Sequence, residues 1–163
     1  MNKIALFCVL IFLISGCSTR GNPAYNRGAD KDISLSAPTD NSVTTTLYKE
    51  YKKWHKTPYK FGGLGLNGVD CSSLVYSVYR DAFGVKLPRT TRDQHMRGRR
   101  VDRDSAQAGD LIFFKTGYNT RHVGIIVQGT KFMHAAKSSG VTISDFSAEY
   151  WQNRYWQTRR VLH

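Results

Sequence analysis

Hydrophobic residues between positions 43 and 84 recur every three or four residues, which is the spacing of amphipathic helices. One helical face consists of Val43, Leu47, Tyr51 and Trp54. A second consists of Leu74, Val75, Val78 and Ala82. Pro58 ends the first helix, Asp70 is a good N-cap for the second, and Gly84 suits its C-terminal end. The pattern therefore predicts two helices in this part of the chain.

From residue 111 onwards the apolar runs are shorter and are separated by turn residues, which is typical of strands. Leu111-Ile112-Phe113-Phe114 is a continuous apolar run and predicts a strand buried on both faces. Further strands are predicted at residues 122–127, 131–136 and 141–143, and a last strand at Val161-Leu162. Helices followed by an antiparallel sheet predict an α+β domain.

The amino terminus has the pattern of an export signal. Met1-Asn2-Lys3 is positively charged, and the 11 apolar residues that follow, 4–14, are too few to cross a bilayer as a helix. Leu13-Ile14-Ser15-Gly16-Cys17 resembles the lipobox of bacterial lipoproteins, which implies cleavage after Gly16 and lipidation of Cys17. Ser18, in place of Asp, implies sorting to the outer membrane of a Gram-negative cell. An ordinary signal peptide that is cut near this point is the alternative.

The chain is thus predicted to consist of three segments. Residues 1–16 are the signal peptide, and residues 43–163 are the folded domain. Residues 17–42 hold the lipidated cysteine and a tether rich in Ser, Thr, Asn, Asp, Gly and Pro. Such a tether is flexible and would let the domain act a few nanometres from the membrane.

Positive charge dominates the composition, with 24 Lys and Arg against 12 Asp and Glu among 163 residues, a net charge of +12. This charge favours binding to a polyanion, either nucleic acid or another polymer. The densest basic patch is Arg97-Gly98-Arg99-Arg100 with Arg103, and no nucleic-acid-binding motif accompanies it. Because the leader also indicates export, we expect no nucleic-acid partner.

Cys71 is the candidate nucleophile. Cys8 lies in the leader and Cys17 is the predicted lipidation site, so Cys71 is a lone thiol in an exported domain. A glycine-rich loop at residues 62–69 runs into Asp70, which places Cys71 in the first turn of the second helix. There the helix dipole and the free N–H groups favour a thiolate. The alternative is a buried cysteine that behaves as a small apolar residue.

The two histidines His122 and His134 can act together only if their strands place both side chains on one face. A three-residue loop, Gln128-Gly129-Thr130, would pair Val127 with Lys131 and would place both histidines on the same face. A two-residue loop would place them on opposite faces. The catalytic hypothesis therefore predicts a loop with an odd number of residues.

On one face the histidines can serve Cys71 as a relay. His122 would accept the thiol proton and later release it, while His134 would hydrogen-bond the first ring and fix its tautomer. Taken singly, each histidine is better explained as a core residue. Tyr59 could be a hydroxyl donor to an oxyanion, but its local sequence favours a core residue. His55 is interpreted as a solvated residue at a helix end. Cysteine and histidine side chains also serve as zinc ligands, but no short paired spacing of Cys and His occurs.

Several motifs carry a resemblance to one family. They are Thr57-Pro58-Tyr59-Lys60-Phe61-Gly62-Gly63, Gly68-Val69-Asp70-Cys71-Ser72, Leu87-Pro88-Arg89-Thr90, Ala108-Gly109-Asp110-Leu111-Ile112-Phe113-Phe114, His122-Val123-Gly124-Ile125, Phe132-Met133-His134-Ala135 and the aromatic tail at residues 150–160. From about residue 47 to residue 162 the chain resembles the NlpC-type cysteine peptidases of bacterial cell walls, which have a papain-like fold. The resemblance implies peptidoglycan stem peptides or crosslinks as substrate and no cofactor.

The resemblance also implies roles for individual residues. Cys71 would be the nucleophile, His122 the base, His134 the third polar residue, and Tyr59 would assist near the oxyanion. The family usually has glycine where this chain has Ser73, which would narrow specificity if that glycine makes room for substrate backbone.

Two other functions fit parts of the same sequence. A non-catalytic wall-binding module would use the positive charge together with Trp151 and Trp156 as surface aromatics. A papain-like amidase or acyltransferase would use the same cysteine, because the acyl-enzyme is common to these reactions. In each case we expect a monomer.

Overall fold

A computed structural model of the chain describes residues 40–163; the predicted signal peptide, Cys17 and nearly all of the predicted tether lie outside the described residues. The helices are α1 (Asp40–Trp54), α2 (Cys71–Phe83), α3 (Thr91–Gln94) and α4 (Glu149–Gln152), with one 3₁₀ turn at Arg103–Ser105. The strands are β1 (Leu64–Gly65), β2 (Gly68–Val69), β3 (Arg99–Val101), β4 (Leu111–Gly117), β5 (Thr120–Gln128), β6 (Lys131–Ala136), β7 (Gly140–Asp145) and β8 (Tyr155–Arg160). Within residues 40–163, none of the helices has both the length and the apolar composition needed to cross a membrane.

Six of the strands form one antiparallel sheet in the order β3-β8-β4-β5-β6-β7. Strands β1 and β2 form a separate two-stranded hairpin just before α2. The apolar faces of α1 and α2 share one hydrophobic cluster with β4, β5 and β6. The α+β prediction, with N-terminal helices packed on an antiparallel sheet, is confirmed.

Apolar side chains cover both faces of the sheet at β4. Leu111 and Phe113 pack with the residues of α1 and α2, while Ile112 and Phe114 belong to a second cluster on the other face. All four side chains are fully buried. The prediction of a strand buried on both faces is confirmed.

Helix α2 begins and ends where the sequence indicates. The Asp70 side chain accepts a hydrogen bond from the backbone N–H of Ser73, and the Ser73 hydroxyl accepts one from the backbone N–H of Asp70. This reciprocal pair is a capping box. Gly84 ends the helix in the left-handed conformation, with φ of 66°, which glycine adopts at little cost.

The last strand differs from the prediction. It is β8, at residues 155–160, and not Val161-Leu162. β8 lies inside the sheet between β3 and β4, yet it buries the polar side chains of Gln157 and Thr158. A hydrophobicity pattern does not indicate a strand whose interior residues are polar. Here the polar side chains are satisfied by hydrogen bonds to His95 and Tyr155.

Candidate active site

Helix α2 positions the candidate nucleophile. Cys71 is the first residue of the helix, and only 8% of its surface is exposed. Its Sγ lies 3.6 Å from the hydroxyl of Thr91, the first residue of α3. The sulfur therefore sits among hydrogen-bond donors at a helix N-terminus, at the edge of the core.

The residue before the cysteine, Asp70, is held by a dense set of donors. Arg89 forms an ion pair with the Asp70 carboxylate at 2.8 Å and donates from both terminal nitrogens. The backbone N–H groups of Gly62 and Ser73 and the hydroxyl of Ser72 donate to the same carboxylate. Burial would raise the pKa of Asp70, but these hydrogen bonds outweigh it and hold the pKa at about 2. The network ties the glycine-rich loop to the start of α2.

The histidines lie on the β5–β6 hairpin. Its strands pair in the predicted register, but its turn is not the predicted one. The turn between β5 and β6 has two residues, because Gln128 pairs with Lys131, so the predicted three-residue loop is wrong. A β-bulge between Ile126 and Gln128 adds one residue to β5 and shifts the pairing back. Ile126 then pairs with Phe132, which is the register that the three-residue loop would have produced. The odd count that the catalytic hypothesis requires comes from the bulge and not from the turn.

Strands β5 and β6 stop pairing before they reach the histidines. The last paired residues on this side are Ile125 and Met133, although β5 extends back to Thr120 and β6 on to Ala136. Gly124 is the first residue of β5 that is not paired with β6, and a Cβ there would come within 2.5 Å of the Phe132 ring and 2.8 Å of the Met133 carbonyl oxygen. Beyond this point the residues of both strands line a cleft.

The candidate residues line this cleft together. Its walls include Cys71, His122, His134 and Tyr59, with Trp151 at one side. The geometry thus brings together all four residues that the sequence singled out for the site. Within residues 40–163 no hydrogen bond joins Cys71 to His122; contacts of this kind commonly tighten only when substrate binds.

The two histidines form a hydrogen-bonded chain. His122 Nε2 lies 2.9 Å from His134 Nδ1, and His134 Nε2 lies 2.9 Å from the hydroxyl of Ser144 in β7. If His122 carries its proton on Nε2, His134 accepts it at Nδ1 and donates from Nε2 to Ser144. The other His122 nitrogen, Nδ1, is then an acceptor available to the cleft.

Burial sets the ionisation of the cleft. It raises the pKa of the Cys71 thiol, although Thr91 and the backbone N–H groups of Val123 and Ser72 act in the opposite direction. Burial also lowers the pKa of His122 to about 4 and, together with the neighbouring His122, lowers that of His134 to about 3. Near neutral pH the thiol and both imidazoles are therefore held in their neutral forms.

Tyr59 is half-buried beside the sulfur. Burial raises the pKa of its hydroxyl, and the nearby Cys71 and Asp70 raise it further. The hydroxyl therefore stays protonated and remains a donor. Of the two sequence interpretations, core residue or donor at the cleft, the position on the cleft wall favours the donor.

Aromatic packing supports the histidines. The Trp151 ring stacks on His122 at 5.6 Å between centroids and meets His134 edge-on at 5.1 Å. Trp156 contacts His95 and Phe113 instead, at 4.5 and 6.3 Å. Both tryptophans are partly buried in these contacts, which argues against their use as a free wall-binding surface.

Ser73 does not line the cleft. It is fully buried, and its hydroxyl is used in the α2 capping box. The expectation that Ser73 narrows the space for substrate is therefore not supported. His55 is exposed at the end of α1, as interpreted from the sequence.

Sequence reasoning missed three supporting residues: Arg89, Thr91 and Ser144. Arg89 lies in the motif Leu87-Pro88-Arg89-Thr90, to which the sequence assigned no role, and its partner Asp70 is 19 positions away. Ser144 lies on a strand whose pairing with β6 the sequence did not specify. Within the described residues no group of three or more Cys, His, Asp or Glu side chains is arranged to hold a metal ion.

The helix that begins with the cysteine packs on an antiparallel sheet, and this sheet carries two hydrogen-bonded histidines. This arrangement is that of a papain-like fold. Residues 56–160 match the model of the NlpC/P60 family, and the chain belongs to that family. The resemblance stated from the motifs is confirmed.

Three known proteins illustrate the relationship. The probable endopeptidase NlpC of Escherichia coli K12 is 38% identical over 161 residues, which cover 98% of this chain and 99% of that protein. The murein DD-endopeptidase MepS/murein LD-carboxypeptidase of the same strain is 36% identical over 163 residues, 92% of this chain and 87% of that protein. A solved Staphylococcus aureus structure, described as similar to lipoprotein and of the NLP/P60 family, matches with a TM-score of 0.68 at 37% identity. That match covers 81% of this chain and 45% of the longer S. aureus chain.

Proposed function

We propose that this protein is a cysteine endopeptidase that hydrolyses peptide bonds in the stem peptides or crosslinks of bacterial peptidoglycan. The observation that carries the proposal is the shared cleft of Cys71 and the hydrogen-bonded pair His122–His134. The names of the two E. coli relatives, a probable endopeptidase and a murein endopeptidase, support the substrate class. The net charge of +12 suits a domain that works on an anionic wall polymer.

In this proposal Cys71 is the nucleophile and His122 is its base. Because burial holds both groups neutral, the thiol proton passes to His122 Nδ1 as the sulfur attacks the peptide carbonyl. The N–H groups of Ser72 and Val123 stabilise the negative charge that develops on sulfur. His134 accepts the hydrogen bond from His122 Nε2 and so keeps Nδ1 free for the proton.

The attacked carbonyl carbon becomes tetrahedral, and its oxygen takes up negative charge. Tyr59 donates its hydroxyl toward this oxygen. His122 returns the proton to the leaving amine, the carbon–nitrogen bond breaks, and a thioester forms on Cys71. A water molecule that gives its proton to His122 then hydrolyses the thioester and restores the thiol.

The proposal includes the place of action. Cys17 would carry the lipid anchor, Ser18 would direct the protein to the outer membrane, and residues 17–42 would tether the domain at residues 43–163 on the periplasmic side. The lipobox-like segment at the end of a short apolar run supports this, and so does the description of the S. aureus relative as similar to lipoprotein. Several acyl chains anchor a protein stably, because each buried CH₂ contributes about 0.8 kcal/mol. The enzyme would act as a monomer and without a cofactor.

Digestion of purified sacculi tests the proposal. The wild type and His55→Gln, which changes an exposed histidine outside the cleft, should release new amino groups at equal rates. Cys71→Ala and His122→Gln should release none above background. Tight binding of sacculi by the wild type and Cys71→Ala alike, with no cleavage by either, would instead establish a wall-binding module.

Mass spectrometry of the soluble products identifies the bond. Conversion of crosslinked dimers into monomers indicates an endopeptidase acting on crosslinks. Loss of a single C-terminal amino acid indicates carboxypeptidase activity, the second activity in the name of the E. coli MepS relative. Release of a whole peptide from the glycan indicates an amidase.

A further inference from the structure

Two exposed cations line the cleft. Arg121 lies immediately before His122 on β5, and Lys137 follows β6 three residues after His134. Both line the same cleft as Cys71. Among the described residues that line it, none is an aspartate or glutamate. The charge of the substrate cleft is therefore positive near the reacting groups.

Neither cation has an acidic partner. The ion pairs within residues 40–163 use Lys53, Arg80, Arg89, Arg103, Lys131 and Arg160. Arg121 instead lies over the ring of Trp156, with its guanidinium carbon 5.2 Å from the ring centroid. A stacked guanidinium keeps its fork of N–H donors available, and this fork matches a carboxylate with two parallel hydrogen bonds.

Both cations lie beyond the point at which β5 and β6 stop pairing. Arg121 lies on the part of β5 that pairs with β4 and is no longer paired with β6, and Lys137 lies in the turn directly after β6. Stacking on Trp156 fixes the direction of Arg121, whereas Lys137 lies in the turn before β7 and can follow a bound group. Because both cations line the same cleft, an anionic group bound there would be attracted by both.

We propose that Arg121 and Lys137 form a subsite for a free carboxylate of the peptide substrate, so that the enzyme prefers free-acid peptides to those whose carboxyl groups are amidated. This inference rests on the proposed peptidase function, because the subsite lies in the cleft of Cys71. A carboxylate that gains charge-assisted hydrogen bonds at a partly exposed site binds about tenfold tighter than the neutral amide.

Binding to the inactive Cys71→Ala protein tests the subsite without cleavage. The probes are soluble muropeptides and the same muropeptides after their carboxyl groups are coupled to ammonia with a carbodiimide. Calorimetry should give a dissociation constant about tenfold lower for the free acids than for the amides at low salt. The ratio should fall toward one in Cys71→Ala carrying Arg121→Gln and Lys137→Gln. It should persist when Arg100→Gln, a matched loss of an exposed charge on β3, is introduced instead.

Steady-state kinetics separates this inference from the function itself. If wild-type protein cleaves free-acid and amidated muropeptides with equal kcat/KM, or if the double variant keeps the preference in binding, the carboxylate subsite is wrong while the peptidase remains. If wild type and Cys71→Ala release equally little product from both substrates, the peptidase proposal fails. The binding ratio then still decides whether the two cations recognise a carboxylate.

Discussion

Arg89→Gln removes the cation that forms an ion pair with Asp70, the residue before the proposed nucleophile Cys71. The guanidinium makes hydrogen bonds of 3.1 and 2.8 Å to the two carboxylate oxygens of Asp70, and a further one of 3.3 Å to the carbonyl of Gly63. Asp70 is almost completely buried, while a third of the Arg89 side chain is exposed. Glutamine retains part of the stem but supplies no charge, so the carboxylate would depend on its neutral donors alone.

The structure gives the size of the effect. A pKa of about 2 for Asp70, against an ordinary value of 3.8, corresponds to about 2 kcal/mol of stability from its hydrogen bonds and ion pair. Breaking a fully buried pair costs about 3–5 kcal/mol, and the partial exposure of Arg89 lowers this figure. We expect Arg89→Gln to reduce the free energy of unfolding by about 2 kcal/mol at pH 7.

Urea unfolding followed by tryptophan fluorescence measures this loss, and its pH dependence has a definite sign. Because the folded pKa of Asp70 lies below the unfolded value, its contribution is complete above pH 4 and is lost as the pH falls through about 2. The difference between wild type and Arg89→Gln should therefore shrink over that interval.

A double-mutant cycle with Asp70→Asn provides the control. The two substitutions should be strongly non-additive, with a coupling free energy of about 1–2 kcal/mol, because both remove the same interaction. A loss below about 0.5 kcal/mol at pH 7, or additivity in the cycle, would refute the argument that this pair holds the start of α2.

Further consequences of the site geometry can be measured directly. Ser144→Ala should lower kcat roughly tenfold with little change in KM, because it removes the acceptor that fixes the His134 tautomer. Ser144→Thr should restore kcat. An alanine variant as fast as wild type would exclude this role. The acidic limb of kcat/KM should fall near pH 4, and not near pH 6.5, because His122 must be neutral to accept the thiol proton and burial lowers its pKa to about 4. Gly124→Ala should lower the free energy of unfolding by about 1–3 kcal/mol, because its Cβ would lie 2.8 Å from the Met133 carbonyl oxygen. Gly65→Ala is the control and should have little effect, because the space around Gly65 is open. Thermal denaturation compares the two variants.

Local patterns predicted most of the fold. Helices α1 and α2 follow from the spacing of residues such as Leu47 and Leu74, and β4 follows from one continuous apolar run. These features depend on which faces of a segment are apolar, and a face is set by residues a few positions apart. β8 was misplaced because its interior residues Gln157 and Thr158 are polar, and only the strands beside it account for their burial.

The same distinction between local pattern and tertiary structure applies to the candidate site. The sequence by itself determined the chemical groups, Cys71, His122, His134 and Tyr59, and the start of the helix that carries the sulfur. Only the tertiary structure decided how they meet: a bulge replaced the expected loop, and the pairing of β5 with β6 ended at Ile125, before the histidines that line the cleft. The tertiary structure also places Arg89 beside Asp70 and Ser144 beside His134. Arg121 lies over an aromatic ring and has no acidic partner within residues 40–163. Pairing, ionisation and access depend on groups far apart in sequence, whose contacts exist only after the chain has closed around a common core.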